Sequence, residues 1–402
     1  MQPVRIIHFA DLHIGVDRNG PVDPETAING RVLDFLDALD AAVDYAVEND
    51  ADLALFAGDA FHKHNPDPTY VREFAERIIR LAEQCPVVLL LGNHDMPGII
   101  EKATAIDMFD VFNVPNVIVG WRDELHIIKT KRGSVQVATV PYPMKQQLLT
   151  AKQLRKCKDV KQLLQAAVKR IIINLAEQVV DTMPAVLVGH FSVTNATYGS
   201  ERMLSLDNGA EVALEDLLDP WDYVALGHLH MQQCLTEDYE DAAPVVYSGS
   251  LERVDFGEEH QPKGFMWVEI GDEIAYDFVE VDARPYVTID VNVSKSKHPT
   301  EKVLQRIQAM DLQSAVVRIR INAVDSSYLQ EERIHQAVIQ AGAYFVHSLS
   351  ITRRPVKTET RLADVKLSTL PAIDALQVYL EETGAKNIPG LLQLAREVMC
   401  DG

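Results

Sequence analysis

Cysteine is scarce in this 402-residue chain, and what there is lies scattered. Cys85, Cys157, Cys234 and Cys400 show no paired spacing, which argues against a disulfide framework or a zinc ribbon and suits a reducing cytoplasm. Long apolar runs are also missing. None approaches the roughly 20 residues that span a bilayer, so no membrane association is expected. The opening Met1-Gln2-Pro3-Val4-Arg5 leads straight into a strand and lacks a signal-peptide pattern, which again favours a cytoplasmic location. Positive charge is in short supply: 38 Lys and Arg stand against 59 Asp and Glu, a net charge of −21. That balance speaks against nucleic-acid binding by bulk electrostatics but leaves room for local patches. From Ala283 to Lys357 there are eleven basic and six acidic residues, so the rest of the chain carries a net −26. A second basic run is Lys145, Lys152, Arg155, Lys156, Lys158, Lys161, Lys169 and Arg170, with Asp159 its only acid.

What is present is core material. Hydrophobic residues make up 47% of a chain long enough for two or three domains. The first hundred residues read β-α-β-α-β. Strands are expected at Val4–Ala10, Leu53–Ala57 and Val87–Leu91, with helices over Ile28–Glu48 and from Pro66 to about Glu83. This pattern implies an α/β fold whose parallel sheet gathers ligand groups at one edge. A shorter helix is expected around Ile100–Phe112. Val117–Val119, Leu125–Thr130 and Val135–Val140 read as hairpin strands of a mixed second sheet, and a helix follows over Lys161–Val180. Further buried strands are Ala185–Val188, Tyr223–Leu226 and Val245–Tyr247; Phe265–Ile270 and Ile274–Val281 close this part. After Ala283–Pro285 the order strand, helix, strand, helix, strand suggests a small α+β sandwich. Two amphipathic helices, Leu370–Thr383 and Pro389–Met399, end the chain. The expected organisation is 1–281, 282–356, a polar linker at 357–369, and 370–402.

Five strand ends deliver the same kinds of groups: Asp11-x-His13, Gly58-Asp59, Gly92-Asn93-His94-Asp95, Gly189-His190 and Gly227-His228-x-His230. One such aspartate is usually a turn former, and one such histidine is usually a packed residue. Five in succession, each directly after an apolar run, point to a metal centre. Asp11, His13, Asp59, Asn93, His190, His228 and His230 are too many ligands for one ion and suit two. Mixed carboxylate, amide and imidazole without thiolate favours manganese, iron or zinc. One carboxylate must bridge, and Asp59, between the first and third motifs, is the natural choice. Two such ions can hold an oxyanion and lower the pKa of a shared water, which is the chemistry of phosphoester hydrolysis. His94, next to a ligand but not itself one, is the candidate proton donor to the leaving oxygen. Asp95 is expected to support that residue from behind or to shape the turn, and so to orient it.

In this order the motifs resemble those of the calcineurin-like metallophosphoesterase superfamily, over residues 1 to about 281. The resemblance implies a β-sandwich flanked by helices. It assigns Asp11, His13 and His230 to one ion and Asn93, His190 and His228 to the other, with Asp59 shared. Within the superfamily, Ala10-Asp11-Leu12-His13-Ile14-Gly15, Gly58-Asp59-Ala60-Phe61-His62 and Tyr247–Glu258 followed by Lys263-Gly264-Phe265 resemble SbcD-type double-strand-break repair nuclease subunits. That likeness implies two Mn²⁺ ions, 3′-to-5′ exonuclease and endonuclease activity, and His62 contacting the reacting phosphate. Residues 283–355 then stand where that family has a DNA-binding capping domain, with Arg318, Arg320, Arg353 and Arg354 as candidate DNA contacts. The last two helices would dock on an SMC-like ATPase partner through Leu370, Ile373, Leu376, Tyr379 and Leu380, then Leu391, Leu392, Leu394 and Val398. A homodimer is also implied, with Tyr70–Leu81 and Ile100–Phe112 as its candidate surface. Two other functions remain open at this stage: a small-molecule phosphodiesterase or phosphatase, and a largely structural DNA tether for the ATPase.

Overall fold

Short apolar runs bounded by breakers become the strands of two stacked sheets. The computed structural model describes residues 2–97, 102–150, 153, 159–199, 211–324, 328–354, 371–382, 384–385 and 387–400. Strands β1 (Val4–Phe9), β2 (Leu53–Phe56), β3 (Val87–Leu90) and β4 (Val117–Gly120) run parallel and in sequence order. The hairpin of β13 (Gly264–Ile270) and β14 (Ile274–Glu280) extends this sheet, with β13 pairing antiparallel to β1. The second sheet uses β5 (Glu124–Thr130), β6 (Gly133–Val140), β7 (Ala185–His190), β10 (Tyr223–Gly227), β11 (Gln233–Cys234) and β12 (Val245–Tyr247). Its order is β11-β12-β10-β7-β6-β5, and β6, β7, β10 and β12 are mutually parallel. The pair β8 (Ser192–Val193) and β9 (Glu211–Val212) stands apart.

The two-residue period of the strands sorts their side chains between layers. Ile6, Leu53, Leu55, Val88 and Leu90 face the second sheet and meet Val137, Val186, Val188 and Ala225. Ile7, Phe9, Phe56 and Leu89 face outward onto helices Gly30–Glu48 and Pro68–Gln84. Asn29 and Asp67 cap those helices by accepting from the backbone N–H groups of Arg31 and Thr69. Helix Val160–Ala176 covers the far side of the second sheet. The result is a four-layer α/β/β/α sandwich.

Two expectations need correction. Val117–Gly120 is not part of the second-sheet hairpin; it adds a fourth parallel strand to the first sheet. A helical segment separates it from β3, and such a crossover returns the chain beside the strand it left. In that segment only Asp107–Val111 is α-helical among the described residues; positions 100 and 101 lie outside them.

Beyond Pro285 a parallel three-stranded sheet forms from β15 (Tyr286–Asn292), β16 (Val316–Val324) and β17 (Phe345–Arg354). Helices Pro299–Gln308 and Glu331–Gln340 pack on one face of it through Val303, Ile307, Ile334 and Val338. Residues alternate along β16, so Ile319 and Ile321 point to the helices and Arg318 and Arg320 to the other face. This sandwich is tied to the first by side chains. Arg284 Nε donates to Asp34 Oδ2 at 2.6 Å, and its guanidinium lies 3.7 Å from the centre of the Tyr344 ring. Arg253 donates to the carbonyls of Ala283 and Arg284 where the chain passes from one to the other. Helices Ala372–Glu382 and Ile388–Cys400 pack on each other. The linker expected at 357–369 lies outside the described residues. No helix among those described is long and apolar enough to cross a membrane.

Candidate metal centre

Both sheets end at the same edge, and the polar groups that follow their strands converge there. The first sheet supplies Asp11, His13, Asp59, Asn93 and His94; the second supplies His190, His228 and His230. Backbone hydrogen bonds align the exit loops. Asp11 N–H donates to the Gly58 carbonyl at 3.0 Å, and His13 N–H to the Asp59 carbonyl at 3.1 Å. Asp11, His13, Asp59 and His228 all hold positive φ, at 53°, 48°, 60° and 101°. Non-glycine residues enter that region at a cost of about 1–3 kcal/mol each, which surrounding structure must over-determine. Gly92 permits a close approach: any Cβ there would collide with the Asp59 carboxylate.

Carboxylates then fasten one loop to the next. Asp95 accepts from the backbone N–H groups of Gly92 (3.0 Å), Asp59 (2.8 Å), Ala60 (3.0 Å) and Phe61 (3.3 Å). Asp59 Oδ1 accepts from His94 N–H at 2.8 Å, and Asp11 from His228 N–H at 2.9 Å. The turn role expected of Asp95 is therefore seen, and only its orienting of the His94 ring is corrected. Its oxygens are taken by backbone donors, and His94 Nδ1 instead meets the His62 carbonyl at 2.8 Å. With Nδ1–H donating there, Nε2 is the ring nitrogen left for chemistry.

The inward-facing atoms form two overlapping groups. On one side His13 Nε2 and His230 Nε2 lie 3.0 Å apart, and Asp11 completes a set whose ligand atoms are all within 4.8 Å of one another. On the other, Asn93 Oδ1 is 3.1 Å from His190 Nε2 and 3.0 Å from His228 Nδ1. Asp59 Oδ2 lies between them, 3.7 Å from His13 Nε2 and 3.4 Å from His190 Nε2. Metal–ligand bonds of about 2.1 Å at right angles put neighbouring ligand atoms roughly 3 Å apart, so this spacing suits divalent ions. His13, His62 and His94 form a further group within the same limit.

Electrostatics points the same way. Burial favours neutral forms throughout: it pushes the Asp11 carboxyl up to about 6, and with His230 nearby holds His13 well below the imidazole range. Burial and His190 bring His228 down to about 3; burial and His94 bring His62 down to about 4. Against burial, Asp59 raises His190 to about 9 and Glu258 does the same for His230. Asp95, buried and close to Asp59, is pushed up to about 7. Buried acids and imidazoles at these distances form a donor set that divalent cations would satisfy.

Glu258 is a site residue that motif reasoning overlooks. It accepts from His230 Nδ1 at 2.6 Å, and Lys263 meets its other oxygen at 2.8 Å. The only hint is its place in the Tyr247–Glu258 segment. Of the candidate DNA contacts, Arg318 reaches the rim of a cavity of about 480 Å³ that opens on the cluster and is also lined by Asp17, Arg18 and His347. Arg320 gives both arms of its fork to Asp290, at 2.8 and 2.6 Å. Arg353 and Arg354 end β17. Lys161 and Lys169 of the second basic run pair with Glu211 and Asp216, while Lys152, Arg155, Lys156 and Lys158 lie outside the described residues.

Residues 4–232, more than half of the chain, match the calcineurin-like phosphoesterase family. Among solved structures the chain is similar to TT1561 of Thermus thermophilus, with 13% identity, a TM-score of 0.38, and coverage of 69% of this chain and 99% of that one. It is also similar to a dimetal phosphatase from Danio rerio, with 10% identity, a TM-score of 0.42 and the same coverage. A third is the purple acid phosphatase PPD1 from yellow lupin (Lupinus luteus) seeds, with 11% identity, a TM-score of 0.40, and coverage of 69% and 51%. The chain belongs to the calcineurin-like phosphoesterase family, and its converging strand ends fit two divalent ions for phosphoester hydrolysis.

Proposed function

We propose that this chain is the nuclease subunit of an SbcD-type DNA repair complex, using two Mn²⁺ ions to hydrolyse phosphodiesters of DNA. The observation that carries this reading is the seat of the C-terminal sandwich. Its Arg318 and His347 line the same cavity as His13, Asn93 and His94, so a polyanion in that cavity meets a fixed cation beside the metal cluster. Arg318 is held there by Thr288 Oγ1 and by the Phe256 ring, 4.3 Å from its guanidinium carbon. Arginines so placed bind phosphate without reading sequence. A small phosphate ester would need only the cluster itself.

Asp11, His13 and His230 would hold one ion, Asn93, His190 and His228 the other, with Asp59 between. When bound, such a pair of ions polarises the phosphoryl oxygens and activates water. The protein's own residues supply the rest. His94, fixed through Nδ1 by the His62 carbonyl, presents Nε2 to protonate the departing 3′-oxygen. His62 stacks on His94 with centroids 5.6 Å apart and would face the phosphate from the same wall. Both rings also line a second cavity of about 820 Å³, which carries Lys63, His64 and Lys145. The strand would thus cross the cluster between a hollow that presents Arg18 and Arg318 and one that presents Lys63 and Lys145.

The C-terminal helix pair is proposed as the dock for an SMC-like ATPase; its Tyr379, Leu391 and Leu394 are exposed. The proposed homodimer would use the exposed Ile79, Met108, Val111 and Phe112. A cytoplasmic setting fits both partners. One assay tests the whole proposal: the purified chain with Mn²⁺, labelled duplex DNA and p-nitrophenyl phosphate esters, with His94→Gln as control. DNA cleavage that disappears in the variant is the expected result. Hydrolysis of small esters without DNA cleavage would overturn the nuclease reading, and DNA binding without turnover, even with the ATPase present, would mark a tether.

A further inference from the structure

Glu258 lies under the metal cluster and is fully buried. A buried carboxylate is costly unless its oxygens have partners, and here both do. Oε1 accepts from His230 Nδ1 at 2.6 Å, whereas Oε2 takes Lys263 Nζ at 2.8 Å and Val254 N–H at 3.0 Å. Lys263 is itself buried and also donates to the His230 carbonyl at 3.1 Å and to Ser250 Oγ at 2.7 Å. The ring and the backbone of His230 are therefore held by one acid–base pair. With Nδ1–H committed to Glu258, Nε2 is the nitrogen aimed at Asp11 and His13.

The turn that bears Glu258 has a second set of contacts, on its upper side. Phe256 packs edge-on against Tyr286 with ring centroids 4.7 Å apart, lies 5.1 Å from His347, and carries Arg318 over its face. Glu259 accepts from Thr288 N–H at 2.7 Å and from its hydroxyl. Tyr286, Thr288, Arg318 and His347 all belong to the C-terminal sandwich. Between residues 256 and 259 the chain is a single tight turn, closed by Asp255 accepting from Gly257 N–H. So short a link cannot absorb a displacement at one end without moving the other.

We infer that Glu258 is a positioning residue for the metal ligand His230, and that the turn from Asp255 to Glu259 makes metal affinity at that position depend on how the C-terminal sandwich is seated. This rests on His230 being a metal ligand. The rival role for Glu258 is plain neutralisation of the buried Lys263, and that role predicts no effect on metal binding.

The test uses the full chain, stripped with a chelator and titrated with Mn²⁺ by calorimetry, with Mn²⁺ electron paramagnetic resonance as a second readout. Circular dichroism monitors folding. Glu258→Gln alone strands the Lys263 charge, so it is paired with Lys263→Met. The folded double variant should bind one ion about 10–100-fold more weakly and leave the other within roughly threefold. Phe256→Ala, which leaves Glu258 and Lys263 in place, should weaken the same ion by several-fold. Wild-type affinity for both ions in the folded double variant would overturn the positioning role. Unchanged affinity in Phe256→Ala would overturn the dependence on the sandwich. A wild-type chain that takes up no Mn²⁺ would instead remove the metal reading itself, a distinct failure.

Discussion

The metal cluster and the polar face of the C-terminal sandwich place their functional side chains in opposite ways. At the cluster, backbone does most of the placing, the His230 ring on Glu258 apart: Asp95 gathers N–H groups from two loops, Asp11 takes that of His228, and the His62 carbonyl holds His94. On the sandwich, side chains hold side chains, as Arg318 on Thr288 and Phe256, and Arg320 on Asp290. Backbone placement is rigid and resists reassignment. An arginine resting on a neutral hydroxyl and a ring, as Arg318 does, keeps its charge available to a phosphate, whereas Arg320 has its charge already met by Asp290. The first arrangement suits bond cleavage and the second suits gripping a ligand of variable sequence.

Substitutions can break this contrast. The largest effect belongs to Asp59→Ala, which removes the oxygen lying between the two ligand groups; phosphodiesterase activity should fall by ~10³-fold or more, with metal content falling alongside. An active, fully loaded variant would remove Asp59 from its bridging place. Next is His94→Gln, with a loss of about 10²–10⁴-fold in turnover but metal content retained; metal analysis beside a rate assay separates the two cases. Asp95→Ala touches no proposed ligand side chain, yet it leaves four backbone donors without their acceptor. Urea unfolding should show a loss of about 2–4 kcal/mol, and an unchanged midpoint would mean the loops hold without it.

A smaller effect concerns protons. His190 and His230, both raised to about 9, carry a proton at pH 7 in the metal-free chain, and a ligand nitrogen must give its proton up. Mn²⁺ affinity should therefore rise with pH between 7 and 9, and calorimetry in buffers of different ionisation enthalpy should detect proton release. A flat profile would count against these two as ligands. The smallest effects sharpen the other half of the contrast. Arg318→Ala should weaken duplex DNA binding by roughly 5–10-fold, whereas Arg320→Ala, already paired with Asp290, should change it by no more than about twofold. Equal effects in a filter-binding assay would show that the ion pair does not hold Arg320 back.

The two regions also differ in how far the sequence alone discloses them. Leu53–Phe56 or Val87–Leu90 declares itself as a buried strand whatever its neighbours are, and the groups at its end follow by position alone. That is why the order β-α-β-α-β and the candidate ligands are legible. Pairing is not a local property, so Val117–Gly120 can be recognised as a strand while its sheet cannot. The part played by Asp95 is hidden for a related reason: its donors at residues 59 to 61 are brought to it by the fold, not by adjacency. Glu258 is 28 positions from His230, and nothing in the intervening stretch announces their contact. The arginines are hardest, because the partner of each depends on strand register, which sets Asp290 directly opposite Arg320.

The cluster draws its ligands from both sheets, and those sheets also meet through apolar side chains such as Leu55, Val88, Val186 and Ala225 and through the buried contact of His8 Nδ1 with the Tyr223 hydroxyl at 3.0 Å. Bound ions would thus act as cross-links between two layers as well as reagents. The melting temperature becomes a gauge of metal supply, since each tenfold rise in free ion above its dissociation constant adds about 1.4 kcal/mol to the folded state. Chelation would weaken the seam between the sheets, and a cell short of the metal would hold a looser protein as well as an idle one.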